Sequence, residues 1–169
     1  MQCPAYSVLM SLYAKECPEY LKESLDSMLA QTVPPTEIVM VKDGPLTDEL
    51  EAVLLDYDSA HPKLFKFVAY AENRGLGYAL RQGMLACSNE IVARMDTDDV
   101  ACPDRMEKQL AALNTGLDMV GSDVVEFIES PDKPIAITNL PKGSDAIRAY
   151  SKRRNPFRHP PMTFRTVSY

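Results

Sequence analysis

Glu90-Ile91-Val92-Ala93-Arg94-Met95-Asp96-Thr97-Asp98-Asp99 is the stretch that decides the fold. Its first six residues read as a short, mostly apolar strand, which empties directly into three carboxylates within four positions. Cys102-Pro103-Asp104 follows and places a proline at the opening of a helix that reaches about Asn114. A brief apolar strand set between helical patterns is what a buried parallel strand looks like in sequence.

The pattern upstream repeats. A strand from Ala5 to Ser11 precedes Cys17-Pro18-Glu19, again a proline in a first helical turn with an acid beside it, and Leu21, Leu25, Met28 and Leu29 recur on one face of that helix. The strand Glu37 to Val41 is stopped by Lys42-Asp43-Gly44-Pro45, and a helix from Asp48 to Asp58 carries Leu50, Val53, Leu54 and Tyr57 as its apolar stripe. The strand Leu64 to Ala69 leads through Asn73-Arg74-Gly75-Leu76-Gly77 to a helix from about Tyr78 to Cys87. Four strand-then-helix units predict an α/β fold, a mainly parallel, doubly wound sheet with right-handed crossovers. Beyond Gly116 the rhythm breaks. Asp118 to Ile128 reads as mostly strand, Pro131 to Pro134 as a turn, Ile135 to Thr138 as a strand, Ser144 to Tyr150 as a helix and Met162 to Val167 as a last strand.

The 169 residues form one domain, large enough to bury roughly 70% of the unfolded surface without disulfide staples. Cys3, Cys17, Cys87 and Cys102 make neither a C-x-x-C pair nor a framework, so a reducing, cytoplasmic setting is expected. A net charge of −6 argues against nonspecific nucleic-acid binding. The charge is uneven, however: Arg148, Lys152, Arg153, Arg154, Arg158 and Arg165 make the last quarter basic. That segment reads either as a surface for an anionic ligand or as a solvated loop beside a helix end.

Ligands of open parallel sheets collect beyond the carboxyl ends of the strands. Tyr13, Asp43, Asn73 and Arg74 and the acids Asp96, Asp98 and Asp99 all fall at such ends. Three crowded carboxylates suit a hard cation with oxygen ligands, Mg²⁺ or Mn²⁺, bridging to phosphates. The plain alternative is an exposed acidic turn that caps the following helix. Gly75 and Gly77 lack the position and third glycine of a dinucleotide fingerprint, and no G-x-x-x-x-G-K-[ST] loop is present. Their expected work is steric, letting the loop turn and the helix approach the sheet and a ligand, against the alternative of ordinary turn glycines. His159, in Asn155-Pro156-Phe157-Arg158-His159-Pro160-Pro161, precedes a strand and reads either as a turn residue or as part of a cleft.

The order of these motifs resembles the inverting family 2 glycosyltransferases with the GT-A fold. The resemblance spans Ala5 to Tyr169 and is carried by Ser7-Val8-Leu9-Met10-Ser11-Leu12-Tyr13 with the helix to Gln31 and Thr32, by Glu37 through Gly44, and by Asn73 through Asp99. It implies that the backbone at Leu12 and Tyr13 and the Asp43 carboxylate hold the base and ribose of a nucleotide sugar, UDP-linked by preference. Arg74, Gly75 and Gly77 would lie beside base, ribose and diphosphate, Asp96 on the ribose or sugar side, and Asp98 on Mn²⁺ or Mg²⁺, with Asp99 either on an outer-shell water or capping the next helix. Asn155, His159 and Arg165 would face the acceptor, a glycan or a lipid-linked hydroxyl of bacterial polysaccharide or cell-envelope synthesis. In this family the catalytic base is an aspartate in an acidic pair after the last strand, so the base is expected beyond Tyr169; Glu126, Glu129 and Asp132 match no family role. The implied chain is a single nucleotide-sugar-binding domain over 1–169, truncated at its C-terminus and inactive alone, with a sheet edge left for homodimer pairing and peripheral membrane contact in the full protein, at the inner face of the membrane. A nucleotidyltransferase would need a basic glycine-rich loop where Tyr13-Ala14-Lys15-Glu16-Cys17 stands. A noncatalytic nucleotide-binding domain is the other alternative.

Overall fold

The computed structural model describes residues 4–128 and 133–166. The elements in chain order are β1 (Tyr6–Leu12), α1 (Pro18–Leu29), β2 (Glu37–Lys42), α2 (Asp48–Ala60), β3 (Phe65–Ala69), α3 (Leu76–Ala86), β4 (Ile91–Arg94), α4 (Arg105–Leu113), β5 (Met119–Val120), β6 (Val125–Phe127), β7 (Pro134–Ile137), α5 (Ser144–Ser151) and β8 (Thr163–Arg165). The main sheet has the order β3-β2-β1-β4-β8-β5, with β6 and β7 forming a separate antiparallel pair. Strands β1 to β4 are mutually parallel, whereas β8 enters antiparallel between β4 and β5.

Side-chain alternation along β1 assigns the helices to faces. Tyr6, Val8, Met10 and Leu12 pack with Leu21, Leu25 and Met28 of α1, Leu50, Val53 and Leu54 of α2, and Met106, Leu110 and Leu113 of α4. Leu9 faces the other way, onto Val39, Val41, Val92 and Ala79 of α3. Each such fully buried aliphatic side chain contributes roughly 1.5–3 kcal/mol relative to exposure. Helix α3 comes very close to the sheet because Gly83 has no side chain: a Cβ there would land on Leu9 Cδ1. Close helix-to-sheet contact is therefore the work of Gly83. Around Gly75 and Gly77 a Cβ would meet nothing within 4 Å, so the expected packing role does not fall on them, although Gly75 does make the turn with φ +84°.

The expected strand over 118–128 divides. Gly121 lies against the Phe157 ring, and Ser122 Oγ accepts a 2.6 Å hydrogen bond from Gln109 Nε2, so the chain leaves the main sheet after β5 and restarts as β6. The turn expected from Pro131 falls partly outside the described residues, as do Glu129, Asp132 and the end of the last strand at Val167. The sheet edges are β3 on one side and the two-residue β5 on the other.

Candidate functional site

Strand order reverses between β1 and β4: the chain moves from β1 outward to β2 and β3, then returns to the other side of β1. The crevice at such a switch point is the natural ligand site of an open α/β sheet. Asp96, Asp98 and Asp99 stand there, one carboxylate oxygen from each lying within 4.8 Å of the others. Asp98 is exposed and its two neighbours half-buried. Burial, with the charges of Asp96 and Asp98 adding, pushes the Asp99 carboxyl up to about 6. All three offer hard oxygen donors at the separation a divalent cation spans, and a cation would relieve their mutual repulsion, so the residues present fit Mg²⁺ or Mn²⁺.

The acidic turn is held from beneath. The buried Arg94 guanidinium donates to Asp96 Oδ1 and to the Met95 carbonyl. Arg105, also buried, donates to the Arg94 carbonyl at 2.7 Å and the Pro160 carbonyl at 3.3 Å, and burial pushes its guanidinium down to about 10. Thr97, in the middle of the motif, donates to Glu16 Oε2 at 2.9 Å, tying the acidic turn to the loop after β1. Helix α1 and the residue two beyond its end add polar groups at spacings of three and four: Ser24 donates to the Asp96 carbonyl at 2.7 Å, Ser27 Oγ accepts from Ala101 N–H at 3.0 Å, and Gln31 accepts from Met106 N–H at 2.9 Å while donating to the Cys102 carbonyl at 2.8 Å. Asp104 makes no side-chain cap for α4, so Gln31 satisfies an orphan N–H of that helix from across the fold.

A second cluster forms at the ends of β2 and β3. Asp43 is buried, and its two oxygens accept the backbone N–H groups of Arg74 at 2.8 Å and Gly75 at 3.0 Å. Asn73 Nδ2 donates to the Asp43 carbonyl at 3.2 Å. This approach needs Gly44, whose φ is +89° and where a Cβ would sit 2.7 Å from Asn73 N. The Arg74 guanidinium lies 5.0 Å from the Tyr78 ring centroid and donates to its hydroxyl, while Tyr70 packs edge-on against Tyr78. Lys42, by contrast, turns away to pair with Glu51 at 2.5 Å.

Of the residues singled out from sequence, Tyr13, Asp43, Arg74, Gly75, Asp96 and Asp98 stand at the carboxyl ends of the parallel strands or in the loops that leave them, and Gly77 lies in the first turn of α3. Leu12 has its side chain wholly in the core, and its carbonyl accepts from Asp43 N–H at 2.8 Å. His159 is exposed in the segment before β8 that Arg105 and Gln109 anchor at Pro160 and Pro161. Arg165 does not join the acidic cluster. It pairs with Glu90 at 3.1 Å and sits opposite Ile91, at the far end of β4. At about 3.3 Å per residue, five residues separate that end from Asp96 by roughly 16 Å. Glu16, Ser24, Ser27, Gln31, Arg94 and Arg105 were given no role from the sequence; the only signal was the polar spacing Ser24-Ser27-Gln31 along α1 and just past it.

The raised Asp99 carboxyl makes a pH prediction. Its folded value of about 6 exceeds the ordinary carboxylate value, so its neutral form favours folding at acid pH and that contribution is lost as pH rises through about 6. Asp99→Asn should therefore be more stable than the parent at pH 7.5 without metal, with the gap closing toward pH 4. Paired thermal melts across this range test it; a gap independent of pH would contradict it.

Comparison with known proteins gives the family and the fold type. The family description "Glycosyl transferase family 2" matches residues 7–168. An uncharacterized glycosyltransferase of Haemophilus influenzae is 41% identical over 91% of this chain and 58% of its own length. The amylovoran biosynthesis glycosyltransferase AmsE of Erwinia amylovora is 39% identical over 95% of this chain and 59% of its own. An Escherichia coli UDP-Gal:alpha-D-GlcNAc-diphosphoundecaprenol beta-1,3-galactosyltransferase is 36% identical over 96% and 58%. The chain thus spans just under three-fifths of the length of these relatives. Among solved structures, residues 1–349 of Staphylococcus aureus TarS superpose with a TM-score of 0.70 at 20% identity, over 95% of this chain and 47% of that one. The Pyrobaculum calidifontis mannosyltransferase PcManGT, in complex with GDP-Man and Mn²⁺, superposes with a TM-score of 0.62 at 24% identity, over 78% and 37%. The fold is of the GT-A type, and on the match over residues 7–168 the chain belongs to glycosyl transferase family 2.

Proposed function

We propose that this chain is the donor-binding part of an enzyme that moves a sugar from a nucleoside diphosphate sugar to a hydroxyl of a growing surface polysaccharide or a lipid-linked glycan, with inversion at the anomeric carbon. The observation that supports this reading most directly is that the three carboxylates after β4 and the Asp43-anchored Arg74 loop after β2 lie at the same carboxyl end of one parallel sheet, on either side of β1. The activities of the Erwinia and Escherichia relatives, amylovoran biosynthesis and galactosyl transfer to a diphosphoundecaprenol-linked sugar, support the acceptor class.

In this reading Asp98 would hold a divalent cation, which when bound would stabilise the charge developing on the departing diphosphate, and Asp96 would stand on the ribose or sugar side. Arg94 donates to Asp96 Oδ1 and so fixes that carboxylate at the strand end. The base and ribose lie between Tyr13 and the loop that Asp43 holds, and Arg74, stacked on Tyr78, offers its positive charge to the donor. His159 lines the acceptor side, and the protein works in the cytoplasm at the inner face of the membrane.

A thermal-shift panel of UDP, GDP, CMP and TDP sugars, each with and without Mn²⁺, tests the reading. A ligand bound only by the folded state raises apparent stability by about 2.7 kcal/mol at a hundred times its dissociation constant. The expected result is a rise for one nucleotide class, UDP first, that grows with Mn²⁺. No rise for any donor at saturating metal would sink it.

A further inference from the structure

Three consecutive carbonyls decide where His159 stands. Pro160 and Pro161 have no backbone N–H, so their carbonyls are the only main-chain groups through which the rest of the protein can hold them by hydrogen bonds. All three carbonyls after His159 are taken: that of Pro160 accepts from Arg105 Nη2 at 3.3 Å, that of Pro161 from Gln109 Nε2 at 2.7 Å, and that of Met162 from the Arg94 N–H at 2.8 Å. Two of these donors are side chains one turn apart on α4, and they are joined, Arg105 Nε donating to Gln109 Oε1 at 3.3 Å. The same oxygen accepts from Thr163 Oγ1 at 2.6 Å, and Gln109 Nε2 also donates to Ser122 Oγ at 2.6 Å, so every hydrogen-bonding position of this buried amide is filled. Arg105 faces the acidic turn as well. Its Nη2 donates to the Arg94 carbonyl at 2.7 Å, so one nitrogen holds both the strand residue two before Asp96 and the residue directly after His159. This buried guanidinium pairs with no carboxylate among the described residues. A buried charge of that kind is a poor device for stability alone, because apolar side chains of similar volume pack at least as well.

We infer that Arg105 and Gln109 are positioning residues that clamp the His159 segment to the acidic turn, so that occupancy of the cation site and the order of residues 157–166 are coupled. Each acts through the backbone it holds rather than by touching a ligand. A buried network whose donors and acceptors are satisfied is stiff, and Pro160 also restricts the backbone of His159 before it. Ordering of the acidic turn, which is rooted at Arg94, therefore passes to the three carbonyls, and order in the segment tightens the cation site by the same factor. The ligand in this coupling rests on the donor-site reading given above, whereas the clamp stands on the hydrogen bonds alone.

Amide hydrogen exchange on this chain, free and with saturating UDP and Mn²⁺, tests the coupling. In the parent the ligands should slow exchange by about tenfold or more both at residues 96–101 and at residues 157–166. Gln109→Glu keeps the acceptor for Arg105 and Thr163 but loses both donated bonds, and Arg105→Lys keeps the charge but loses the planar fork. Without ligand, Gln109→Glu should speed exchange at 157–166 by about tenfold and leave β1 to β3 as in the parent. With ligand, both variants should remain protected at 96–101, which also shows that they fold, and lose the protection at 157–166. A merely structural role would speed exchange in the free and bound states alike and leave the ligand-induced slowing intact. Slowing confined to 96–101 in the parent, or slowing at 157–166 undiminished in both variants, would overturn the coupling. No slowing at either segment in the parent is the separate mark of a failed donor-site reading, and it overturns the coupling with it.

Discussion

Asp98→Ala is expected to lower the Mn²⁺-dependent affinity for a nucleoside diphosphate by about a hundredfold while leaving the melting temperature almost unchanged. The carboxylate is exposed and makes no hydrogen bond within the protein among the described residues, so its removal opens no cavity and orphans no donor. Exposed substitutions of that kind usually alter stability by less than about 0.5 kcal/mol. Residues one shell out from a metal already cost about 10–100-fold in affinity when lost, and a direct ligand should sit at or above the top of that range. Calorimetric titration of UDP with and without Mn²⁺ gives the result directly. Equal metal-dependent affinity in parent and variant would remove Asp98 from the cation site.

Asp43→Ala should behave in the opposite way, costing stability first and nucleotide binding with it. Both oxygens of this buried carboxylate are engaged by backbone N–H groups of the Arg74 loop. Hydrogen bonds to a charged group are worth about 1.5–3 kcal/mol each, and loss of the acceptor leaves two N–H donors without partners. A destabilisation of about 3 kcal/mol is expected, together with weaker binding of metal-free UDP, because the loop that carries Arg74 loses its anchor. Denaturant melts and metal-free titration measure the two effects. An unchanged melt would contradict the anchoring role, and unchanged metal-free affinity in a folded variant would take Asp43 out of the nucleotide site. Affinity and stability falling together identifies Asp43 as a positioning residue for the loop, whether or not it also meets the base.

The two predictions differ because one carboxylate faces solvent and the other is consumed internally, and nothing in the local sequence separates them. Both follow a short apolar strand, and both precede a loop. The distinction comes from residues 31 and 32 positions further on, the backbone of Arg74 and Gly75, which only the parallel pairing of β2 with β3 brings back to Asp43. The same holds for the supports of the acidic turn. Ser24 and Gln31 read in sequence as polar interruptions of a helix, yet they meet the backbone at Asp96 and Met106, 72 and 75 residues away.

The sequence by itself determined the alternation of strands and helices through residue 113, the apolar faces of the helices, and the collection of polar groups at the carboxyl ends of the strands. These follow from periodicity, proline and glycine placement and the geometry of a parallel sheet, all of which act within a dozen residues. Tertiary structure decided the rest. It divided the stretch after Gly116 between two sheets, because Phe157 and Gln109 hold Gly121 and Ser122 there. It moved Arg165 to the far end of β4, because β8 runs antiparallel and its residue order along the sheet is reversed. It assigned the close contact of α3 with the sheet to Gly83 rather than Gly75 or Gly77. In each case the deciding partner lies 13 or more residues away, and contacts of that range leave no periodic mark on the segments that make them.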